Sequence, residues 1–414
     1  MFRWCRIPSF GPALPATILT FKEFGLSPMV VDAISAMGIL VPTSAQQFGI
    51  PKLLMRQNLI LNSQTGKGKT LTFLAPIVDH LIRENTDGIF PIPNKPRCIV
   101  IVPTRELAGQ TLTVLRNFFG HLIGSACLAP GHLSFVKERR VLNQGVDILV
   151  STPNRLKLHL DKKIMNMNEI RFCVVDEADA LADEKYSTQV ETILGPLAKK
   201  NACIAIVSAT RTVAVTQFIE RMKLEWASSG VAEHEVPASA SQSFIPVGRR
   251  KRTDCLSDIL HNARGKILVF VNSKSTCDFV GRRIKEIIPL HGSLPRKIRR
   301  ENFSNFKKAK NAILVSTNLA SRGLDLGKID HVIMYDLPDN VADYLHRAGR
   351  TARAGAAGKV TSLVSARDAP LMKALAQKVT TAPKKEKRTT SKLVDGRPGR
   401  TRGRPERTIS ANRK

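Results

Sequence analysis

Short apolar runs alternate along the chain with longer amphipathic stretches. Asn58 to Leu61, Cys98 to Val102, Asp147 to Val150, Phe172 to Val175 and Ile204 to Val207 are apolar almost throughout, the pattern of strands covered on both faces. Ile267 to Val271, Ala312 to Val315, His331 to Met334 and Lys359 to Val364 repeat that pattern further on. Buried strands that alternate with helical stretches such as Leu71 to Leu81 form parallel sheets, because helices must then cover both faces. The pattern therefore predicts an α/β chain of two tandem doubly wound parallel-sheet domains. A seam rich in Ala, Ser and Gly, from Ala227 to Ser241, is the expected linker between domains at 21–226 and 242–379. No short internal repeat is visible.

A chain of 414 residues agrees with two domains, since single cores rarely grow past roughly 250 to 300 residues. No apolar run approaches the roughly 18 residues needed to span a bilayer, so no membrane partner is expected. Charge changes the picture more. Lys and Arg total 64 against 34 Asp and Glu, a formal charge of +30, which makes a polyanion, nucleic acid above all, the leading partner. The seven cysteines include no CxxC pair, which argues against a zinc site or a disulfide framework and for small buried hydrophobes in a reducing compartment.

The ends differ from the middle. Residues up to Lys22 carry Arg3 and Arg6 but no acid, the charge signature of a mitochondrial targeting segment, placed at 1–20; a frayed terminus is the competing reading. Nucleus, nucleolus or cytoplasm is the alternative address. From 380 to 414 stand twelve Lys or Arg against three acids, with few apolar residues. Such a tail does not fold alone; it is either a solvated terminus or, as the basic chain favours, an RNA contact.

Ser63-Gln64-Thr65-Gly66-Lys67-Gly68-Lys69-Thr70 follows one predicted strand and opens a helix. That is the P-loop arrangement: glycines let backbone N–H groups close on phosphates, Lys69 reaches the β and γ phosphates, and Thr70 coordinates Mg²⁺. A second strand runs into Asp176-Glu177-Ala178-Asp179, so Asp176 is the second candidate ligand for Mg²⁺ and Glu177 the group facing an attacking water.

With these residues in place the chain resembles the DEAD-box ATP-dependent RNA helicases, from about Phe21 to Ala366. The resemblance implies RecA-like domains, ATP as the nucleotide and RNA as the partner. Phe21 and Gln46 are similar to the Q motif, whose aromatic stacks on adenine and whose Gln reads its edge. Thr104 and Arg105 in Pro103-Thr104-Arg105-Glu106-Leu107-Ala108, Thr152 and Arg155 in Thr152-Pro153-Asn154-Arg155, Arg299 and Thr317 then imply contacts with the RNA backbone. Ser208-Ala209-Thr210 with Asp179 implies coupling between the site and the placement of the domains. His346-Arg347-Ala348-Gly349-Arg350-Thr351-Ala352-Arg353 is similar to the last helicase motif. Its Arg350 and Arg353 act as arginine fingers if the second domain closes, while Arg322 and His346 help place the catalytic water and Asp325 approaches the ribose.

Several residues depart from the family pattern. Lys67, Asn154, Arg296 and Asn318 replace, in order, a small residue, Gly, Gln and Asp, and Gly131 stands alone where the family has a Gly pair. The segments 320–325, 346–350 and 91–96 look like mitochondrial DEAD-box helicases linked to assembly of the large ribosomal subunit, which implies ribosomal RNA and assembly proteins as partners. A monomeric, RNA-stimulated ATPase that separates short duplexes locally is the expected activity. A non-enzymatic ATP-gated RNA clamp or assembly scaffold, and a DNA helicase, are the competing readings.

Overall fold

The computed structural model describes residues 20–63, 68–86, 91–123, 127–128, 134–182, 184–229, 239–320, 324–352 and 356–381. The stretch 1–19 and the basic tail after Thr381 lie outside them. The first sheet has seven strands: β1 (Leu59–Asn62), β2 (Cys98–Ile101), β3 (Cys127–Leu128), β4 (Ile148–Ser151), β5 (Phe172–Asp176), β6 (Cys203–Ser208) and β7 (Ala227–Ser228), in the order β3-β4-β2-β5-β6-β1-β7. The second has six: β8 (Ala240–Pro246), β9 (Lys266–Phe270), β10 (Ile287–Leu290), β11 (Ala312–Ser316), β12 (His331–Met334) and β13 (Gly358–Val364), ordered β10-β11-β9-β12-β13-β8. Neighbouring strands of both sheets pair in parallel.

Two cores sandwich each sheet. Leu59, Leu61, Cys98 and Val100 face one side of the first sheet, while Ile60, Ile99, Ile101 and Cys173 face the other. Leu268, Phe270, Val332 and Met334 likewise oppose Ile267, Val269, Ile333 and Leu363 in the second. Because successive strand residues point to opposite faces, a strand buried on both sides must be apolar at every position. Chemistry is thereby confined to the strand ends. At the N-terminal edge of the first sheet buried Arg97 binds Asp147 at 2.7 Å, Glu84 at 2.9 Å and Asn85 at 2.7 Å, tying the starts of β2 and β4 to the helix Lys69–Thr86.

The seam expected at 227–241 is narrower than its composition suggests. Its first two residues are β7, parallel to β1, and its last two begin β8, which pairs with β13 over seven positions. Both are edge strands, and β8 is too exposed to show apolar alternation; its backbone ladder holds it, helped by Ser243 Oγ at 3.0 Å from Thr361 Oγ1. Residues 230–238 lie outside the described residues.

His331 opens β12, buried, with Nε2 2.8 Å from Thr361 Oγ1. Burial above all, and then Lys359, lowers its pKa from 6.5 to about 4. Folding thus disfavours the charged ring. The stability held by the neutral ring is complete above the unfolded value and is lost as pH falls through the folded one. His331→Gln is expected to remove up to about 3 kcal/mol of the stability loss between those two pH values. Urea midpoints measured across that window check this, and parallel curves for variant and parent would refute it.

Candidate functional site

The residues expected to hold phosphate gather where β1, β5 and β6 end. Gly68 sits at φ +77°, a conformation that favours glycine, and a Cβ there would stand 2.5 Å from Gln46 Nε2. Lys69 then opens its helix, and Thr70 follows, half-buried. Gln64, Thr65, Gly66 and Lys67 lie outside the described residues. Ser63 extends the pairing of β1, its N–H donating to the Ser208 carbonyl at 3.0 Å. Gln46, 1% exposed, accepts from the Thr43 N–H at 2.8 Å and donates to the Gly68 carbonyl at 3.4 Å. The Q-motif segment is therefore bound to the loop directly. Phe21 is buried in the first core, edge-on to Phe24 with ring centroids 5.9 Å apart.

Asp176 ends β5 and Glu177 follows at φ 53°, a left-handed conformation that costs a non-glycine residue of order 1 to 3 kcal/mol. The Glu177 N–H donates to Asp176 Oδ1 at 2.9 Å. Burial, opposed by Lys69 and reinforced by Glu177, pushes the Asp176 carboxyl up to about 7. Lys69 Nζ and Glu177 Oε2 are both buried without a hydrogen-bond partner among the described residues. Buried polar atoms of this kind cost free energy unless something else completes them. An ammonium, an oxygen acceptor and a carboxylate deprived of solvent, converging at a glycine turn and a helix start, suit a metal-bound polyphosphate.

The second domain reaches this site. Asp179 Oδ2 accepts from Thr210 Oγ1 at 2.7 Å and from the Thr210 N–H at 3.2 Å, while Ser208 Oγ donates to the Thr210 carbonyl at 2.7 Å. His346 Nε2, from the other domain, lies 3.1 Å from the same Asp179 oxygen. The resemblance implied that His346 helps place a water near Glu177; here the helix Val341–Ala348 brings its ring to Asp179, at the start of the helix Ala178–Leu181. Arg350 is buried, its Nη1 donating to the Leu324 carbonyl at 3.0 Å. Asp325, expected near a ribose, pairs with Lys307 at 2.6 Å and accepts from the Gly327 N–H at 3.1 Å. Arg322 and Arg353 lie outside the described residues.

Motif spacing does not single out Arg347, yet it is 1% exposed. It binds Asn318 Oδ1 at 2.9 Å, Asn272 Oδ1 at 2.7 Å and the Asp336 carbonyl at 2.8 Å, with its guanidinium over the Phe270 ring. It knits the loops after β9, β11 and β12 together. The contact with Asn318 was the one available signal, since Asn318 is a departure from the family pattern.

A cavity of about 490 Å³ opens between the domains, lined on one side by Thr104, Arg105, Thr152 and Arg155 and on the other by Arg299. Thr317 is not among the lining residues. Glu106 and Tyr186 also line it, and neither is apparent from the sequence as a site residue. Glu106 Oε1 meets Arg299 Nη2 at 2.8 Å across the gap.

Two parallel-sheet domains, a glycine turn and helix start at the strand ends of the first and a histidine–arginine helix of the second turned towards it, define a tandem α/β protein of the P-loop class. The chain belongs to the DEAD-box helicases. Residues 43–218 match the DEAD/DEAH box helicase family and residues 251–355 the helicase conserved C-terminal domain. The DEAD-box ATP-dependent RNA helicase 39 of Arabidopsis thaliana is 36% identical over 84% of this chain and 59% of its own length. The ATP-dependent RNA helicase DDX4 of Mus musculus is 31% identical over 85% of this chain and 52% of its own. The chain thus spans between half and three-fifths of these relatives. Among solved structures, Dbp5 of S. cerevisiae bound to RNA and ADP BeF3 superposes with a TM-score of 0.74 at 27% identity, over 87% of this chain and 93% of that one. Mss116p bound to ssRNA and AMP-PNP shares the fold with a TM-score of 0.76 at 24% identity, over 87% of this chain and 78% of that one.

The unpartnered Lys69 ammonium yields a direct test. A nucleoside triphosphate at about 100 times its Kd is expected to stabilise the protein by about 2.7 kcal/mol. Lys69→Met is expected to abolish that rise, measured by thermal unfolding with and without a non-hydrolysable analogue. An undiminished rise in the variant would remove Lys69 from the phosphate site.

Proposed function

We propose that the chain is an RNA-stimulated ATPase that clamps single-stranded RNA between its two domains and separates short duplexes locally. The observation that carries this reading is a shared interface: one cavity is lined by residues of both domains and bridged by Glu106 and Arg299, and the same two domains meet again where Asp179 faces His346. A strand bound across that cavity would favour the same closure that assembles the nucleotide site.

Lys69 takes the β and γ phosphates of ATP, and Mg²⁺, for which Thr70 and Asp176 are the fitting oxygen donors, neutralises charge on them when bound. A single carboxylate suffices, because Mg²⁺ keeps water and phosphate oxygens as its other ligands. Glu177 Oε2 accepts the proton of the water attacking the γ-phosphorus. Arg350 and Arg353 bring positive charge to the transition state, an effect worth about 10³ to 10⁵ in rate. RNA recognition through Thr104, Arg105, Thr152, Arg155, Arg299 and Thr317 follows phosphates and 2′-hydroxyls, independent of base sequence.

The basic, acid-free stretch before Glu23 supports a mitochondrial address, and the segments similar to mitochondrial helicases support ribosomal RNA and its assembly proteins as partners. Residues 1–22 fused to a fluorescent protein are expected to carry it into mitochondria; a diffuse or nuclear signal would overturn that address.

Glu177→Gln is expected to cut RNA-stimulated phosphate release at least about 100-fold and to lengthen the lifetime of the RNA complex. Surviving hydrolysis would sink the assignment of Glu177. If the parent chain binds RNA and ATP without any stimulation of phosphate release, the scaffold reading stands in place of the ATPase. Equal stimulation by single-stranded DNA would favour a DNA helicase.

A further inference from the structure

Arg155 lines the interdomain cavity, but its grip comes from behind. Its Nε and Nη2 lie 2.8 and 2.6 Å from Oε2 of Glu138, a residue of the helix Phe135–Asn143 whose side chain is 0% exposed. The same oxygen lies 3.1 Å from Nε2 of His159, which is also fully buried and stands one turn after Arg155 on the helix Pro153–Asp161. Phe135 completes the enclosure. Its ring stacks on His159 with centroids 5.2 Å apart at 14°, and the Arg155 guanidinium sits 5.0 Å from its centroid.

A carboxylate sealed in this way costs several kcal/mol in desolvation, and apolar packing of similar volume would serve stability as well or better. Its use must be sought elsewhere. By charge alone Glu138 opposes a polyanion in the cavity, since it offsets the arginine that would meet a phosphate. By geometry it does the reverse: occupying the Nε and Nη2 edge of the planar fork fixes the guanidinium and leaves its remaining edge for a phosphate. Preorganisation removes the ordering cost that a long, flexible side chain pays on binding. The two effects have opposite signs, so one measurement separates them.

We propose that Glu138 is a positioning residue for RNA: with His159 and Phe135 behind it, it holds Arg155 in the orientation that grips the strand's backbone. The proposal rests on the RNA-clamp reading and deepens it.

The test is direct binding of a fluorescently labelled single-stranded RNA to the full chain with a non-hydrolysable ATP analogue, for the parent, Glu138→Gln, Glu138→Asp, Arg155→Ala and the Glu138→Gln/Arg155→Ala pair. Glu138→Gln is expected to weaken RNA binding roughly 10-fold, while kcat at saturating RNA stays within about twofold. In the Arg155→Ala background the same change is expected to add little, because the two act as one unit. Glu138→Asp, which keeps the charge but withdraws the oxygen, is expected to give an intermediate loss, and it decides the matter if the Gln variant does not fold. Unchanged or tighter RNA binding by Glu138→Gln or by Arg155→Ala, or losses that add in full in the double variant, would overturn the proposal. Since binding is read directly, a parent chain without RNA-stimulated hydrolysis would sink the enzymatic reading alone; a parent that binds no RNA would sink both.

Discussion

The closed arrangement turns on one carboxylate. Asp179, at 2% side-chain exposure, receives two hydrogen bonds from Thr210 at the end of its own sheet and faces His346 from the other domain. A buried charge is tolerated only where partners surround it, and each partner here belongs to a different part of the machine. Thr210 links to β6 through Ser208, and His346 stands one residue before Arg347, which holds the loops of the second domain. Pulling the domains apart would take away one of the Asp179 partners while keeping the others. Part of the cost of opening therefore falls two residues from Glu177, and the Glu106–Arg299 pair carries another part.

The charge of the chain works at two ranges. A formal +30 draws a polyanion from a distance and is insensitive to detail. Within the cavity the reverse strategy holds: Arg155 is backed by Glu138, and Arg299 faces Glu106. These acids lower the local positive potential and fix the directions of the guanidinium groups. Abundant charge acts at long range, while the tethered arginines of the cavity hold fixed directions.

How much could be read from the sequence follows from burial. Strands β1, β2, β4, β5, β6, β9, β11, β12 and β13 stood out as apolar runs because both faces of each sheet are covered. Strands β3, β7, β8 and β10 did not, being edge strands or very short; β8 is held by its backbone ladder to β13, which leaves no mark in residue type. The phosphate loop and Asp176 to Asp179 were legible because their chemistry needs fixed residues at fixed spacing. Arg347 and Glu138 were hidden, since their partners come from segments far off in the chain, and a lone Glu in a helix looks like a solvated face. Sequence order also could not tell that His346 would land on Asp179.

The turn at Gly68 ties two tasks that are usually treated apart. A side chain there would be strained by the φ of +77° and would displace the Gln46 amide, and Gln46 in turn spans from the Thr43 amide to the Gly68 carbonyl. Any replacement at position 46 removes a hydrogen bond to the turn at Gly68. The position of Gln46 and the shape of the turn at Gly68 are in that sense a single mechanical property of this fold.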